Sequence, residues 1–298
     1  MASKNCWHSC SNCLTTARLH YYLKKQAGIA LALIGVFDSG VGGLSILDES
    51  LRQLPHHDYI YLADSANAPY GEKSSAWIAT RSLVLCKYLA DQGCDAIVVA
   101  CNTATAEAIQ KIRAILTIPV IGVEPGIKPA SMQSQNGIVG VLATEATLNS
   151  DKFNALLATL PSSCTFIKQS GAGLVPLIEA GQANSDETLE LLAKHLEPIQ
   201  DAGSDTLVLG CTHYPFLRKA IHKLLGDSVN LIDTSDAVIR QLKRRLDTLT
   251  KFNGRDLQSS ILFISSKNEA LLLGMAKDLL SSDLSGYVVK SKLLGTVQ

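Results

Sequence analysis

The sequence has no excess of charge of either sign and no long hydrophobic run. Lysine plus arginine and aspartate plus glutamate number 27 each among 298 residues, so the formal net charge is zero. A basic field for binding nucleic acid or a membrane surface is therefore not indicated. No apolar stretch approaches the roughly 18 residues that a membrane-spanning helix needs. With 47% hydrophobic and 18% charged residues, the composition is that of a folded globular protein of up to two domains.

The eight cysteines lack the dense, regular spacing of the disulfide framework found in small secreted domains. Cys86, Cys94 and Cys164 lie in apolar surroundings, as is typical of buried free thiols. Lys24-Lys25 and the apolar residues after it resemble a signal peptide, but no small-residue cleavage pattern follows and a polar turn ends the run. We therefore expect a protein of the reducing cytoplasm, with Leu33–Phe37 as its first core strand.

Residues 1 to about 28 are polar and weakly patterned, and we predict a flexible extension outside the core. Cys6, Cys10 and Cys13 have a C-x3-C-x2-C spacing that resembles the iron–sulfur motif of radical-SAM enzymes, although no strand pattern precedes them. A zinc knuckle that includes His8 is a second interpretation. The third, which we favour, is a tail with chance cysteines, and we assign it no role.

Beyond the extension, short apolar strands alternate with helical segments through two similar series. Each series ends with a strand, a cysteine turn, a helix and a strand that finishes in an acid. Asp38 lies 63 positions before Cys101 and Ala143 lies 68 before Cys211, whereas the terminal acids follow the cysteines by 23 and 22 positions. This duplication predicts an α/β fold of two pseudo-symmetric domains, each a mostly parallel sheet flanked by helices.

We expect residues 29–124 and 235–298 to form the first domain and residues 125–234 the second, because the first series alone is short of strands. The returning C-terminal part is predicted to hold a helix over about residues 237–249, a strand at Ser260–Ile264 and one further helix. Two similar domains that face one another would bring both cysteines to one interdomain cleft, where we expect the active site.

The glycine-rich turn DSGVGGLS, from Asp38 to Ser45, follows a strand and opens a helix, as a dinucleotide-binding turn does. Asp64 stands at the next strand end, near where a ribose-binding acid belongs. However, Ser45 occupies the third glycine position of G-x-G-x-x-G, and Asp38 puts a carboxylate where pyrophosphate would approach. A tight strand-to-helix turn explains the glycines, but it does not explain the polar Asp38-Ser39 at the cleft.

Cys101 and Cys211 each follow a buried strand and precede a helix, in IVVACNTATAEAI and TLVLGCTHYPFL. At a helix start the dipole and free N–H groups favour the thiolate, so we predict for both thiols a pKa below the usual value of about 8.5. Inert packed thiols, Cys–His nucleophilic catalysis with His213, and a zinc site without the usual paired-ligand spacing are three interpretations. A fourth uses the duplication, because two thiols on opposite faces could remove and return a proton and so invert a stereocentre.

Six motifs, in this order, make the chain similar to the glutamate racemases: FDSGVGGLS (Phe37–Ser45), APYGEKS (Ala68–Ser74), VVACNTA (Val98–Ala104), GVLATEAT (Gly140–Thr147), LVPLIEAG (Leu174–Gly181) and LGCTHYP (Leu209–Pro215). The resemblance covers about residues 33 to 270. It implies two pseudo-symmetric α/β domains and a cofactor-independent racemase of L-glutamate and D-glutamate that supplies D-glutamate for peptidoglycan. The GVEPGIKPA segment is similar to enterobacterial-like members of the family.

The same resemblance implies roles for individual residues. Cys101 would be the base that removes the α-proton of D-glutamate, assisted by Asp38. Cys211 would be the base that removes the α-proton of L-glutamate, assisted by Glu179 and His213. The substrate-binding residues that it implies are Asp38, Ser39, Tyr70, Gly71, Asn102, Thr103, Thr144, Thr147, Thr212 and His213. It implies no metal and no cofactor.

Three other functions compete with glutamate racemisation. Aspartate racemisation differs only in the reach of the substrate side chain, and pocket size cannot be deduced from the motifs. A non-catalytic module that binds a cell-wall intermediate or another protein is disfavoured because both cysteines are present. A nicotinamide-dependent dehydrogenase is disfavoured by Ser45 and Asp38. Nucleic acid and membrane partners are not expected, whereas a homodimer and regulation by a peptidoglycan precursor stay open.

Overall fold

The computed structural model of the chain describes residues 31–249, 258–295 and 297. The cysteine motif at residues 6 to 13 lies outside the described residues, so its interpretation stays a prediction. Within the described part of the chain, strands and helices alternate as a parallel α/β fold requires.

The strands are β1 (Leu33–Asp38), β2 (Asp58–Ala63), β3 (Ala96–Val99), β4 (Val120–Gly122), β5 (Ile138–Ala143), β6 (Thr165–Ser170), β7 (Thr206–Gly210), β8 (Asn230–Ile232), β9 (Ser259–Ser265) and β10 (Tyr287–Leu293). The α-helices are α1 (Leu44–Gln53), α2 (Ser75–Asp91), α3 (Asn102–Ile115), α4 (Ile127–Gln133), α5 (Glu145–Asn149), α6 (Asp151–Ala158), α7 (Leu174–Glu179), α8 (Asp186–Asp201), α9 (Arg218–Leu225), α10 (Ser235–Asp247) and α11 (Glu269–Leu279). Short 3₁₀ turns are formed by Tyr70–Glu72 and Tyr214–Leu217.

Two parallel sheets organise the part of the chain that the structure describes, which confirms the predicted α/β class. The first has six strands in the order β10-β9-β2-β1-β3-β4, and the second has four in the order β6-β5-β7-β8. In the first sheet β1 lies between β2 and β3, and in the second β5 lies between β6 and β7. Because neighbouring strands run in the same direction, their carboxyl ends meet at one edge of each sheet, and the candidate residues follow those ends.

The central strands of the first sheet are buried along their whole length. Every residue of β1, β2, β3 and β9 is buried, as expected for parallel strands with helices on both faces. Capping residues fix where the helices begin: the Ser74 hydroxyl accepts the N–H of Trp77, and the Ser185 hydroxyl accepts that of Thr188. The elements behind the site are therefore anchored by core packing, and the polar residues lie in the turns that follow the strands.

The C-terminal segment returns to the first sheet. β9 pairs with β2, and β10 pairs with β9 at the edge of the sheet. β10 lies beyond the strand predicted at Ser260–Ile264, where the sequence indicated only a helix. Its residues are half-buried or exposed, so the strand lacks the continuous apolar pattern that marks the inner strands. Within the described ranges, no helix is both long and apolar enough to cross a membrane.

Candidate active site

Two nearly buried thiols lie at the carboxyl ends of corresponding strands in the two sheets. Cys101 follows β3 and caps α3, where its sulfur accepts the N–H of Ala104 at 3.4 Å. Cys211 follows β7 and lies in a turn before the 3₁₀ segment Tyr214–Leu217, and α9 begins only afterwards. Cys101 therefore lies at the start of an α-helix, whereas Cys211 precedes a 3₁₀ segment that has Pro215 in its first turn and leads directly into α9. Cys101 is 6% exposed and Cys211 is 7% exposed.

The prediction of a lowered pKa is wrong for Cys101. Burial raises the pKa of this thiol to about 12, together with the negative charge of Asp38. Hydrogen bonds from the Ala104 N–H and the Ser39 hydroxyl lower it, but they do not compensate for burial. The helix start contributes in the expected direction, and desolvation of the thiolate is the larger effect.

Asp38 connects the two halves of the site beside Cys101. It ends β1 and is completely buried. One carboxylate oxygen accepts the N–H of Gly40 at 2.9 Å, and the other accepts the hydroxyl of Thr212, from the second half, at 3.0 Å. Burial raises the pKa of Asp38 to about 6, against the opposing effects of His213 and the Gly40 N–H. A carboxyl group with this pKa can take up and release a proton near neutral pH.

His213 and Glu179 form a buried pair beside Cys211. His213 Nδ1 lies 3.7 Å from the Cys211 sulfur, and its Nε2 lies 2.6 Å from Glu179 Oε1. Burial by itself lowers the pKa of His213, but the hydrogen bonds and negative charges of Cys211 and Glu179 outweigh burial and hold this pKa well above its usual value. The imidazolium is therefore the favoured form at neutral pH, and Cys211 has a cationic partner.

The glycine-rich turn of the first half packs directly onto this pair. The N–H of Val41 donates to Glu179 Oε1 at 2.6 Å, so one carboxylate oxygen serves both the turn and His213. A Cβ at Gly40 would lie 1.8 Å from Glu179 Oε1, and one at Gly42 would lie 2.3 Å from His213 Nδ1. Only glycine permits this approach, which explains why this segment is rich in glycine without being a nucleotide-binding turn.

Hydroxyl groups from both halves meet near Cys101. The Thr103 hydroxyl lies 2.9 Å from that of Thr144 and 3.4 Å from that of Thr147, and the last two are 2.9 Å apart. We call these three side chains the threonine ring. Asn102 Nδ2 is buried and finds no acceptor among the described residues, so it is a donor that a ligand oxygen can satisfy.

The Tyr70–Gly71 turn lies against the same region. Tyr70 is 1% exposed and belongs to the same apolar cluster as Cys101. A Cβ at Gly71 would lie 3.1 Å from that of Thr144. The structure thus brings the candidate residues into one region, and their catalytic and binding roles stay predictions. They surround Cys101 (Asp38, Ser39, Tyr70, Gly71, Asn102, Thr103, Thr144, Thr147) or Cys211 (Thr212, His213, Glu179).

The motifs did not identify three supporting residues, because each acts through a contact distant in sequence. The hydroxyl of Tyr61 donates to the Gly40 carbonyl at 2.7 Å, and the hydroxyl of Ser45 donates to the Thr212 carbonyl at 3.2 Å. Val41 contributes through its backbone N–H, a group that every non-proline residue has. The one signal in the sequence was Ser45 itself, a polar residue at the third glycine position of the G-x-G-x-x-G pattern.

Among residues 31–249, 258–295 and 297, no group of three or more His, Cys, Asp or Glu side chains could hold a metal ion. The five cysteines of this part of the chain, Cys86, Cys94, Cys101, Cys164 and Cys211, are free thiols. The site therefore consists of thiols, carboxylates, an imidazole, hydroxyls and amides from both halves of the chain. This set can accept, donate and hold protons around a small polar ligand.

The sequence matches the family model for Asp/Glu/hydantoin racemases over residues 34–242. It is 57% identical, over 217 residues, to a glutamate racemase of Ralstonia pickettii, which covers 73% of this chain and 77% of that protein.

Two solved structures of other proteins are similar in fold to this chain. Escherichia coli glutamate racemase, in complex with L-glutamate and the activator UDP-MurNAc-Ala, matches with a TM-score of 0.77 and 32% identity over 89% of this chain and 100% of that one. The Francisella tularensis glutamate racemase in complex with D-glutamate matches with a TM-score of 0.75 and 30% identity over 89% and 97%.

Proposed function

The chain belongs to the Asp/Glu/hydantoin racemase family and acts as a glutamate racemase, an isomerase, and we propose that Cys101 and Cys211 carry out its proton transfer without a cofactor. The observation that supports this scheme is the pair of thiols at equivalent strand ends, each with its own proton-handling partner. Asp38 lies beside Cys101, and the His213–Glu179 pair lies beside Cys211.

In the proposed reaction, the thiolate of one cysteine removes the α-proton of glutamate, and the thiol of the other donates a proton to the opposite face. With L-glutamate, Cys211 is the base and Cys101 the acid, and with D-glutamate the roles are exchanged. The electron pair of the broken C–H bond forms the new C–H bond, so no redox change occurs and no external reactant is needed. His213 and Asp38 then move protons to and from the thiols to restore their starting states.

The positive charge of the bound substrate is proposed to lower the pKa of Cys101. In the ligand-free site, burial and the charge of Asp38 keep the Cys101 thiol protonated. The ammonium group of bound glutamate would bring a positive charge beside this thiol and Asp38, and a nearby opposite charge lowers the pKa of a thiol. We infer that Cys101 becomes a thiolate only when D-glutamate is bound, whereas with L-glutamate it stays protonated and acts as the acid.

Polar groups without charge are proposed to hold the two carboxylates of the substrate. The Asn102 amide, the threonine ring and the backbone of the Tyr70–Gly71 turn supply donors on the Cys101 side, and the backbone N–H of Thr212 supplies one on the other. This agrees with a chain of zero net charge, because charge-assisted hydrogen bonds to N–H and O–H groups can bind an anion without a basic field.

We further propose that residues up to 124 and from 235, around the first sheet, and residues 125–234, around the second, are two domains that open to admit substrate. Bonds such as Thr212–Asp38 and Glu179–Val41 join the two halves directly over the site. Closure would expel water, which strengthens every electrostatic interaction that stabilises the carbanion-like transition state. The reducing cytoplasm would keep both thiols free for this chemistry.

The reaction is tested by incubating the purified protein with L-glutamate in deuterated water, without any cofactor. We expect optical rotation to fall to zero, with one deuterium incorporated at the α-carbon. L-aspartate in the same assay separates the two acidic substrates, and we expect much slower loss of its rotation. Unchanged rotation and no α-deuterium with glutamate would refute the proposed activity.

The two-thiol scheme is tested by Cys101→Ala and Cys211→Ala, with Cys164→Ala as the matched control. Cys164 is a free, half-buried thiol whose sulfur donates to the carbonyl of Ser131, away from both candidate thiols. We expect either site variant to lose racemisation in both directions and the control to retain it. Turnover in a site variant that remained near the level of the control would exclude the two-base scheme.

Regulation by a peptidoglycan precursor is proposed from one relative. The E. coli structure contains the activator UDP-MurNAc-Ala. We expect the same compound to raise the rate of this chain at subsaturating glutamate. Equal rates with and without it, at concentrations up to the millimolar range, would show that this chain does not share the response.

A further inference from the structure

A largely buried ion pair lies next to the site but outside the set of candidate residues. Asp64 follows β2 at the carboxyl edge of the first sheet and is completely buried. Its carboxylate accepts two hydrogen bonds from one guanidinium, Arg81 Nε at 2.9 Å and Nη2 at 2.8 Å. Arg81 belongs to α2, and its side chain is 21% exposed. The pair therefore joins the end of β2 to the helix that follows the Tyr70–Gly71 turn.

The same carboxylate holds that turn. The Tyr70 hydroxyl donates to Asp64 Oδ2 at 2.7 Å, and Asn67 Nδ2 lies 3.1 Å from both carboxylate oxygens. The Tyr70 ring packs edge-on against Trp77, with centroids 5.3 Å apart, and against Phe37 at 6.3 Å. A tyrosine fixed at its ring and at its hydroxyl leaves little freedom for the next residue, Gly71.

The network also reaches both halves of the active site. The Asp64 N–H donates to the carbonyl of Asp38 at 3.0 Å, so the anchor of the turn is bonded to the residue beside Cys101. On the other side, Gly71 lies so close to Thr144 of the threonine ring that a Cβ at Gly71 would come within 3.1 Å of the Thr144 Cβ. A shift of Asp64 would thus be transmitted to the place where the turn meets Thr144.

We propose that Arg81 and Asp64 are positioning residues that orient the Tyr70–Gly71 turn for binding glutamate and so set substrate affinity rather than the rate of proton transfer. This inference rests on the proposed function, in which the turn contacts the substrate. A buried ion pair is an inefficient source of stability, because desolvation offsets much of the attraction, and its directional bonds are better suited to fixing geometry. The planar, two-pronged geometry also explains arginine at this position, since lysine cannot donate two parallel bonds.

The test compares Arg81→Gln and Arg81→Lys with the wild-type protein, and Arg52→Gln is the matched control. Arg52 pairs with Glu49 on the exposed surface of α1, so its replacement removes the same charge without touching the turn. We expect Arg81→Gln to raise KM for both enantiomers about tenfold or more while kcat changes less than about threefold, because binding lost equally from ground and transition states appears in KM. Arg81→Lys should give a smaller rise, and Arg52→Gln should not change KM.

Tyr70→Phe keeps the proposal testable if the Arg81 variants fold poorly. It removes only the hydroxyl bond to Asp64 and leaves the ion pair and ring packing in place, so the melting temperature should stay near that of the wild type. We expect a several-fold rise in KM and a weaker thermal stabilisation by added glutamate.

Wild-type KM in Tyr70→Phe and Arg81→Gln, or a fall in kcat at constant KM, would overturn the positioning role. Absence of racemisation in the wild type would instead refute the proposed function, so the two failures are distinct. Glutamate-dependent stabilisation, measured separately from turnover, gives the second readout for each variant.

Discussion

Replacing the buried Asp38 by asparagine should make the protein more stable and the enzyme less active. Asp38 is completely buried, and each carboxylate oxygen has one neutral hydrogen-bond donor, the Gly40 N–H and the Thr212 hydroxyl. Asparagine can keep both bonds, because its amide oxygen accepts the N–H and its NH₂ group can donate to the hydroxyl oxygen. The variant thus changes the charge with little change of shape.

The size of the expected change in the free energy of unfolding follows from the pKa of Asp38. Burial raises this pKa from 3.8 to about 6, so between about pH 4 and pH 6 the native state binds more protons than the unfolded state. Stability therefore falls as pH rises through this window, and the charged form costs about 3 kcal/mol above it. The asparagine side chain of the variant does not titrate. The stability of Asp38→Asn relative to the wild type should rise by about 2.4 kcal/mol between pH 4 and pH 7, because part of the full change already occurs below pH 4.

The assay is urea unfolding of both proteins at several pH values from 4 to 8, with racemase activity measured at pH 7 to 8. We expect activity to fall about 100-fold or more, because the proposed acid–base partner of Cys101 is lost. Asp205→Asn is a control for which the pH dependence of relative stability should have the opposite sign. The pKa of Asp205 is held below its usual value, because hydrogen bonds outweigh burial; they come from Ser134, Gln135, Asn136 and Thr206. This control should lose relative stability as pH rises. A stability difference for Asp38→Asn that is flat or falls with pH would refute the reasoning.

Two further predictions concern His213. In Glu179→Gln one of the two groups that offset burial loses its charge while Cys211 remains, so the pKa of His213, measured by NMR of its ring, should fall. The wild-type imidazolium stabilises the fold fully below pH about 6.5, and this contribution is lost as pH rises through the raised native pKa. The variant should show a weaker pH dependence of stability. Its kcat/KM should fall about 10- to 100-fold and equally for both enantiomers, whose equilibrium constant is unity; an unchanged His213 titration would contradict this. In Gly42→Ala, a Cβ 2.3 Å from His213 Nδ1 should displace the imidazole and lower kcat, whereas Gly274→Ala on α11, where a Cβ meets nothing within 4 Å, should be active and slightly more stable. Wild-type kcat in Gly42→Ala would show that the turn can move away.

The sequence was sufficient for the fold class because its signals are local and repeated. Apolar strands that end in polar turns recur twice, and Cys101 and Cys211 occupy the same place in each copy, so the parallel sheets and the strand-end position of both cysteines could be deduced. β10 was missed because an edge strand with half-buried residues has neither a continuous apolar run nor a clean alternation.

The electrostatics of the site could not be predicted in the same way. A helix start is visible in the sequence, but the burial that raises the pKa of Cys101 depends on groups from distant segments. The contact from Val41 to Glu179 spans 138 positions and uses a backbone N–H, which carries no residue-type signal. The arginine that anchors Asp64 likewise lies on a helix whose other residues gave no reason to single it out.

The threonine ring has a consequence for which ligands the site selects. In the free protein these hydroxyls satisfy one another, so an incoming ligand exchanges existing bonds for new ones. A neutral ligand would exchange one neutral hydrogen bond for another and gain almost nothing, whereas a carboxylate would gain the difference, because hydrogen bonds to an ionised acceptor are about twice as strong. In its proposed binding role, the ring would favour anionic ligands over neutral ones without any fixed positive side chain.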